Sequence, residues 1–151
     1  MTILRQVIVI PSEISGFFKQ SDFQNYPKVA IPQTFEDDRG IISNISDGVL
    51  GDVAIIESVK NSVRANHVHK SDWHLSFCVT GSLIYSFEDL NGNVSSMEIS
   101  KGELFFTPEA VPHRMDFLEN TILVVVSKNS RLQEKYEEDT QKYFLEPQRK
   151  Q

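Results

Sequence analysis

The sequence predicts an all-β fold, a β-sandwich or small barrel closed at its C-terminal end by one short helix. Nine or ten short runs rich in Val, Ile, Phe and Tyr predict the strands, and turn residues recur between them at regular intervals. The helix is predicted by a single stretch, Ser130 to Phe144 (SRLQEKYEEDTQKYF). It is charged, lacks Gly and Pro, and spaces Leu132, Tyr136 and Tyr143 roughly as one helix face. No internal repeat, linker or low-complexity segment divides the chain, and 151 residues suit one domain with a real core.

Gln6 to Ile10 (QVIVI) reads as a strand stopped by Pro11, which cannot donate to a ladder. Residues 12–27 mix Ser, Gly, Phe and charge without a period and predict a surface arm or short helix, so residues 1–27 form an N-terminal strand and arm. Phe17, Phe18 and Phe23 there need a surface to lie on. The β-rich body spans 28–128. Lys28 to Phe35 fits an edge strand because Pro32 interrupts it. Glu36 to Gly40 turns into a strand at Ile41 to Ile45, and Ser46-Asp47-Gly48 turns again before a strand at Asp52 to Val59. After Gly81 comes Ser82 to Leu90, and Asn91-Gly92 is a strong hairpin signal that returns the chain through Val94 to Ile99. Short strands follow at Glu103 to Thr107, His113 to Leu118 and Thr121 to Lys128. Ile122 to Val126 (ILVVV) is apolar on both faces and predicts a fully buried strand. Residues 130–145 are the helix, and Pro147 to Gln151 a frayed end.

Composition excludes several classes of function. A net charge of -6 argues against nucleic-acid or anionic-membrane partners, since phosphate backbones need a basic surface; one anionic small molecule held by a local Arg or Lys is compatible with it. The lone Cys78 allows no intramolecular disulfide. The apolar run near the start is too short for a signal-peptide core, and no stretch approaches the roughly 20 apolar residues of a membrane helix. The expected location is cytoplasmic.

Chemistry concentrates in Arg64 to Gly81 (RANHVHKSDWHLSFCVTG), which holds His67, His69 and His74; the fourth histidine, His113, follows Pro112. His67 and His69 are two apart and leave one face of a strand. His74 lies beyond the bend Lys70 to Trp73, and its face continues as Ser76, Cys78 and Thr80, which suits a pocket lining. The opposite face, Leu75, Phe77 and Val79, must be covered by another sheet, the N-terminal arm or a second subunit. Four converging imidazoles would supply nitrogen ligands suited to zinc, iron, nickel or copper. Glu103 and Glu109 are the nearby candidates for a fifth ligand or a base.

The spacing of His67, His69, His74 and Gly81 resembles the first motif of the cupin superfamily, Gly-x5-His-x-His-x3-4-Glu-x6-Gly. Gly102-x5-Pro108-x4-His113 resembles the second, and the two span about fifty residues in the family's order. The resemblance implies a double-stranded β-helix, or jelly roll, with His67, His69, His74 and His113 around a divalent transition metal. His74 stands where the family carries Glu, and Asn61 where the first motif opens with Gly.

A narrower resemblance covers about 110 residues. Phe35-Glu36-Asp37-Asp38-Arg39-Gly40 and Val63-Arg64-Ala65-Asn66-His67-Val68-His69-Lys70 are similar to the F-x-D-x-R-G and R-G-x-H-x-H-K segments of nucleotide-sugar 3,4-ketoisomerases and 3,5-epimerases. Those enzymes act without metal on deoxythymidine-diphosphate-linked 4-keto-6-deoxy sugars. The resemblance implies His67 or His69 as the base, Arg64 beside the enolate oxygen, Tyr85 as proton donor, and Arg64, Lys70 or Arg114 holding a diphosphate. Ala65 replaces the motif's Gly, and His74 a Gln. Two other readings stay open: a mononuclear non-haem metal dioxygenase, and a cupin that only binds a small ligand. A homodimer is expected, because Leu75, Phe77, Val79 and the N-terminal Phe residues offer more apolar face than one small sandwich should bury.

Overall fold

A computed structural model describes residues 7–146 and has two five-stranded antiparallel sheets packed face to face in a jelly roll. The first sheet orders its strands β1 (Lys28–Val29), β9 (Leu104–Thr107), β6 (His74–Thr80), β11 (Thr121–Ser127) and β4 (Asp52–Ser58). The second orders β12 (Thr140–Lys142), β5 (Val63–His69), β10 (His113–Phe117), β7 (Ser82–Glu88) and β8 (Val94–Ser100). A separate hairpin joins β2 (Gln33–Asp37) to β3 (Gly40–Asn44). One α-helix, α1 (Gln133–Asp139), precedes β12.

Period-two alternation sorts each strand's side chains between two apolar clusters. Between the sheets lie Cys78, Leu83, Tyr85, Phe105, Phe117, Leu123 and Val125. On the outer face of the first sheet, Leu75, Leu104, Phe106 and Val126 pack under Ile8, Ile14, Phe18 and Phe23 of the N-terminal arm. The arm is therefore a cover for Leu75 and Phe77, and burying such side chains contributes about 1.5–3 kcal/mol each. Gly81 links β6 to β7 at φ +92, and an added Cβ would overlap the Thr121 hydroxyl and the Asn120 carbonyl, so only glycine fits that crossing.

The structure corrects four expectations. Val7 to Ile10 form no strand, and Gln6 lies outside the described residues. The alternation is real, because Ile8 is buried while Val7 and Val9 are exposed, but Ile8 packs flat on the outer face of the first sheet and the segment pairs with no strand. Lys28 to Phe35 splits at Pro32 into β1, at an edge of the first sheet, and β2, which pairs only with β3. In β11, Ile122 and Val124 are half-buried, since the arm covers the outer face only near Val126. The helix expected over 130–145 is only α1; from Thr140 the chain turns extended and adds β12 to the edge of β5. Helix α1 has no buried residue and no side-chain cap, whereas the β5 edge offers a ladder of backbone hydrogen bonds. Pro147 to Gln151 lie outside the described residues. Among the described residues no helix is long and apolar enough to cross a membrane.

Candidate active site

The histidines meet where β5, β6 and β10 converge. Antiparallel pairing sets His113 opposite His67, and the register then slips by one residue, so that Arg114 pairs with Ala65. Asn66 is the extra residue of this bulge, and both Ala65 (φ 67) and Asn66 (φ 53) are left-handed. Arg64 and His67 are three apart and would face opposite ways on a regular strand. The bulge restores them to one side, where both line the same cavity.

That cavity holds about 290 Å³ between the sheets. Its wall includes Arg64, Ala65 and His67 of β5, His74 and Ser76 of β6, Phe105 and Thr107 of β9, His113 and Met115 of β10, with Ile56 and Val125. Arg131 and Tyr136, from the segment around α1, complete it. No Asp or Glu of the described residues lines it, and Glu103 is turned away in an ion pair with Lys28 at 2.6 Å.

The four imidazoles form one cluster. Ring centroids are 4.5 Å apart for His67 and His69, 4.7 Å for His67 and His113, and 4.5 Å for His69 and His74. Nitrogens of His67, His69 and His113 lie within 4.8 Å of one another. The other nitrogens are engaged. His113 Nδ1 is 2.9 Å from the Val111 carbonyl, and His69 Nδ1 is 3.2 Å from Thr140 Oγ1 and 3.6 Å from Asp139 Oδ2. His69 is 1% exposed, and its Nε2 is buried without a hydrogen-bond partner. His74 Nε2 sits 2.9 Å from Asp72 Oδ2, while Asp72 Oδ1 accepts the Asn129 N–H at 3.0 Å.

Burial sets the electrostatics. It pushes His67 down to about 4 and His69 down to about 3, aided for both by electrostatic repulsion from the neighbouring His74 ring. His113 is held well below its ordinary value by burial and by His67. These three rings are therefore neutral near pH 7, in the form that accepts a proton or a metal ion. Burial pushes the Asp72 carboxyl up, but the hydrogen bond and charge of His74 outweigh it and leave Asp72 lowered.

Of the other sequence candidates, Arg64 lines the cavity, donating from Nε to Ser58 Oγ at 2.8 Å and from Nη2 to the Glu57 carbonyl at 3.0 Å. Tyr85 is fully buried behind the wall and reaches it through Thr107, Oη to Oγ1 at 2.9 Å, with burial holding its phenol protonated. Lys70 and Arg114 do not line the cavity. Lys70 Nζ donates to the Glu138 carbonyl at 3.1 Å, and Arg114 forms a bidentate pair with Asp116 at 2.8 and 2.7 Å. Both side chains alternate away from the histidine face. Sequence reasoning missed Arg131, Tyr136 and Asp72. The first two reach the site through a chain reversal that no local pattern marks; Asp72, two residues from His74, was legible as a potential partner.

No protein-family model matches the chain, and no curated protein matches it in sequence. Solved structures do. A sugar 3,4-ketoisomerase variant from Thermoanaerobacterium thermosaccharolyticum, in complex with TDP-4-keto-6-deoxyglucose, is 19% identical, with 73% of this chain and 82% of that chain covered at a TM-score of 0.61. A dTDP-4-dehydrorhamnose 3,5-epimerase from Sulfolobus tokodaii is 15% identical, with 69% and 70% covered at 0.58. A TDP-quinovose 3,4-ketoisomerase from Campylobacter jejuni is 16% identical, with 64% and 80% covered at 0.55. At such identities the likeness speaks for the backbone, and the chain has the jelly-roll fold of these dTDP-sugar ketoisomerases and epimerases.

Proposed function

We propose that the protein is an isomerase or epimerase acting on a nucleotide-linked keto sugar. The observation that carries this reading is one cavity in which burial keeps the His67 and His113 rings neutral beside the Arg64 guanidinium. His67 takes the proton from a carbon next to the ketone. The C–H electron pair becomes an enolate, whose oxygen gathers charge near Arg64. In isomerisation the enolate oxygen takes up a proton to give an enediol, the hydroxyl on the deprotonated carbon gives up its own proton to become the new ketone, and the former carbonyl carbon is protonated; in epimerisation the proton returns to the opposite face of the same carbon. Tyr85 supplies a proton through the Thr107 hydroxyl, and His69, behind the wall, orients the cluster. The structural neighbours support the substrate class.

The test is incubation with TDP-4-keto-6-deoxyglucose in deuterated water, followed by proton NMR. Deuterium should enter beside the carbonyl, and His67→Asn should slow entry by about a hundredfold or more, the usual worth of a general base. Binding of the nucleotide sugar without exchange would leave a ligand-binding cupin in place of an enzyme.

A metal-assisted variant is favoured by one further observation, the orphaned buried Nε2 of His69 within a group of three imidazoles whose nitrogens lie within 4.8 Å. The donor set fits zinc, iron, nickel or copper, and the acceptors at His113 Nδ1 and His69 Nδ1 are the outer partners that ligating histidines use. His67, His69 and His113 would hold the ion, with His74 beside them. When bound, such an ion polarises a substrate carbonyl. Metal analysis after dialysis decides: a stoichiometric ion lost in His113→Ala supports it, and iron accompanied by oxygen uptake would replace the isomerase with a dioxygenase.

We also infer a homodimer, through a different surface from the one the sequence suggested. Leu75 and Phe77 lie under the arm, but Val53 and Ile55 of the edge strand β4 are 63% and 71% exposed. Phe35, Ile41 and Ile42 of the hairpin are exposed as well, so a second copy would cover both.

A further inference from the structure

We propose that Arg131, on the segment that crosses the cavity beside α1, is an anion-binding residue that acts with Arg64 to hold a phosphate or carboxylate group of the ligand. Both arginines line the same cavity, and no Asp or Glu of the described residues lines it with them. Neither arginine forms an ion pair among the described residues. Arg64 is satisfied by a hydroxyl and a carbonyl, both neutral. Arg131 is less satisfied: its Nη1 is buried and has no hydrogen-bond acceptor.

A buried charged donor without an acceptor is costly, so the site calls for a partner that the described residues do not provide. The Tyr136 ring, 5.4 Å from the Arg131 guanidinium carbon, offsets part of that cost but accepts no hydrogen bond in the fork geometry of a guanidinium. An oxyanion does both, pairing the charge and accepting two N–H groups at once. The segment is also held in place before any ligand arrives. The β12 ladder on β5 ties it down, and Asp139 Oδ1 takes the Ser71 N–H and hydroxyl, each at 2.9 Å. On the other side of Arg131 the Asn129 N–H donates to Asp72 Oδ1 at 3.0 Å, so Arg131 lies between two tethered points, which lowers the ordering cost of binding.

The sequence offers Arg64, Lys70 or Arg114 to hold a diphosphate, but Lys70 is occupied by the Glu138 carbonyl and Arg114 by Asp116. Arg131 takes their place. The inference rests on the proposed function only for the source of the anion, a nucleotide diphosphate.

Isothermal titration of the whole protein with thymidine diphosphate, inorganic pyrophosphate, thymidine and oxalate tests it. The wild type should bind thymidine diphosphate and pyrophosphate, thymidine more weakly, and Arg131→Gln should weaken both anions by about ten- to a hundredfold. Lys135→Gln, an exposed charge loss four residues away on α1, should change neither. Oxalate binding that depends on Arg131, with no binding of thymidine diphosphate, would keep the anion site and sink the nucleotide-sugar reading. Equal affinity of Arg131→Gln and wild type for every anion, an equal loss in Lys135→Gln, or no anion binding by the wild type would overturn the proposal. Should circular dichroism show Arg131→Gln to be unfolded, Arg131→Lys carries the test, because it keeps the charge and loses the fork. Unchanged pyrophosphate affinity in that variant overturns the proposal too.

Discussion

His67 and His69 are separated by one residue and share one strand face, yet the fold uses them differently. His67 lines the cavity; His69 sits behind it with a buried, unpartnered nitrogen. His69 is set apart by the end of α1 and the start of β12, where Thr140 Oγ1 and Asp139 Oδ2 lie 3.2 and 3.6 Å from its Nδ1. Burial has a measurable consequence at His67, whose proton affinity drops from 6.5 to about 4. A base works in its unprotonated form, so kcat/KM should stay level from about pH 8 down to about pH 5 and fall only as pH drops through about 4. An acid limb near 6.5 would mean that the base is a solvated histidine and not His67. The same depression destabilises the fold in acid. The unfolded chain takes up protons near 6.5 that the folded His67, His69 and His113 refuse, so stability present above that pH declines below it. The rate profile is therefore to be measured alongside circular dichroism at each pH.

The bulge in β5 is the element on which the site depends. Two consecutive non-glycine residues hold left-handed backbone there, at an ordinary cost of about 1–2 kcal/mol each. They are retained by their surroundings: the Asn66 carbonyl accepts the Tyr143 N–H at 2.9 Å, and its side-chain oxygen accepts the Leu145 N–H at 3.3 Å. Ala65 has no such contact through its methyl group and lines the cavity. Ala65→Gly should therefore raise stability, by about 1 kcal/mol, in urea unfolding, and should leave the position of His67 unchanged. A loss of stability would show that the Ala65 methyl packs better than its backbone angle allows. The C-terminal segment is the second such element. Helix α1 contributes no buried residue, but it delivers Tyr136 to the histidines, its ring centroid 5.8 Å from that of His69, before β12 closes the edge.

In the whole molecule, the N-terminal arm covers one sheet and the C-terminal segment covers the site, while the edge of β4 and the β2–β3 hairpin remain apolar and exposed. Sedimentation at micromolar concentration should find a dimer, and Ile55→Lys should shift it towards monomer without unfolding it, because Ile55 makes no core contact. A monomeric wild type would end the dimer reading. Much of this molecule follows from its strand and turn chemistry alone: the run of strands between Asp52 and Ser127, the hairpin at Asn91-Gly92, the shared face of His67 and His69, and the inward face of His113, Met115 and Phe117. These were legible because alternation and turn residues act over a few neighbours, and the histidine spacing belongs to that local order. What stayed hidden depends on partners distant in sequence. Val7 to Ile10 have a strand's composition, yet Ile8 is held against the outer face of the first sheet and the segment joins no ladder. Residues 140–142 have a helix's composition and an edge that claims them. Arg64 reaches the cavity only through a bulge that pairing with β10 imposes, and Arg131 only through the reversal after β11. The sequence by itself determined a jelly roll with a histidine cluster inside it; the tertiary structure alone decided which cations face that cluster, because facing is set by register and closure between strands far apart in the chain.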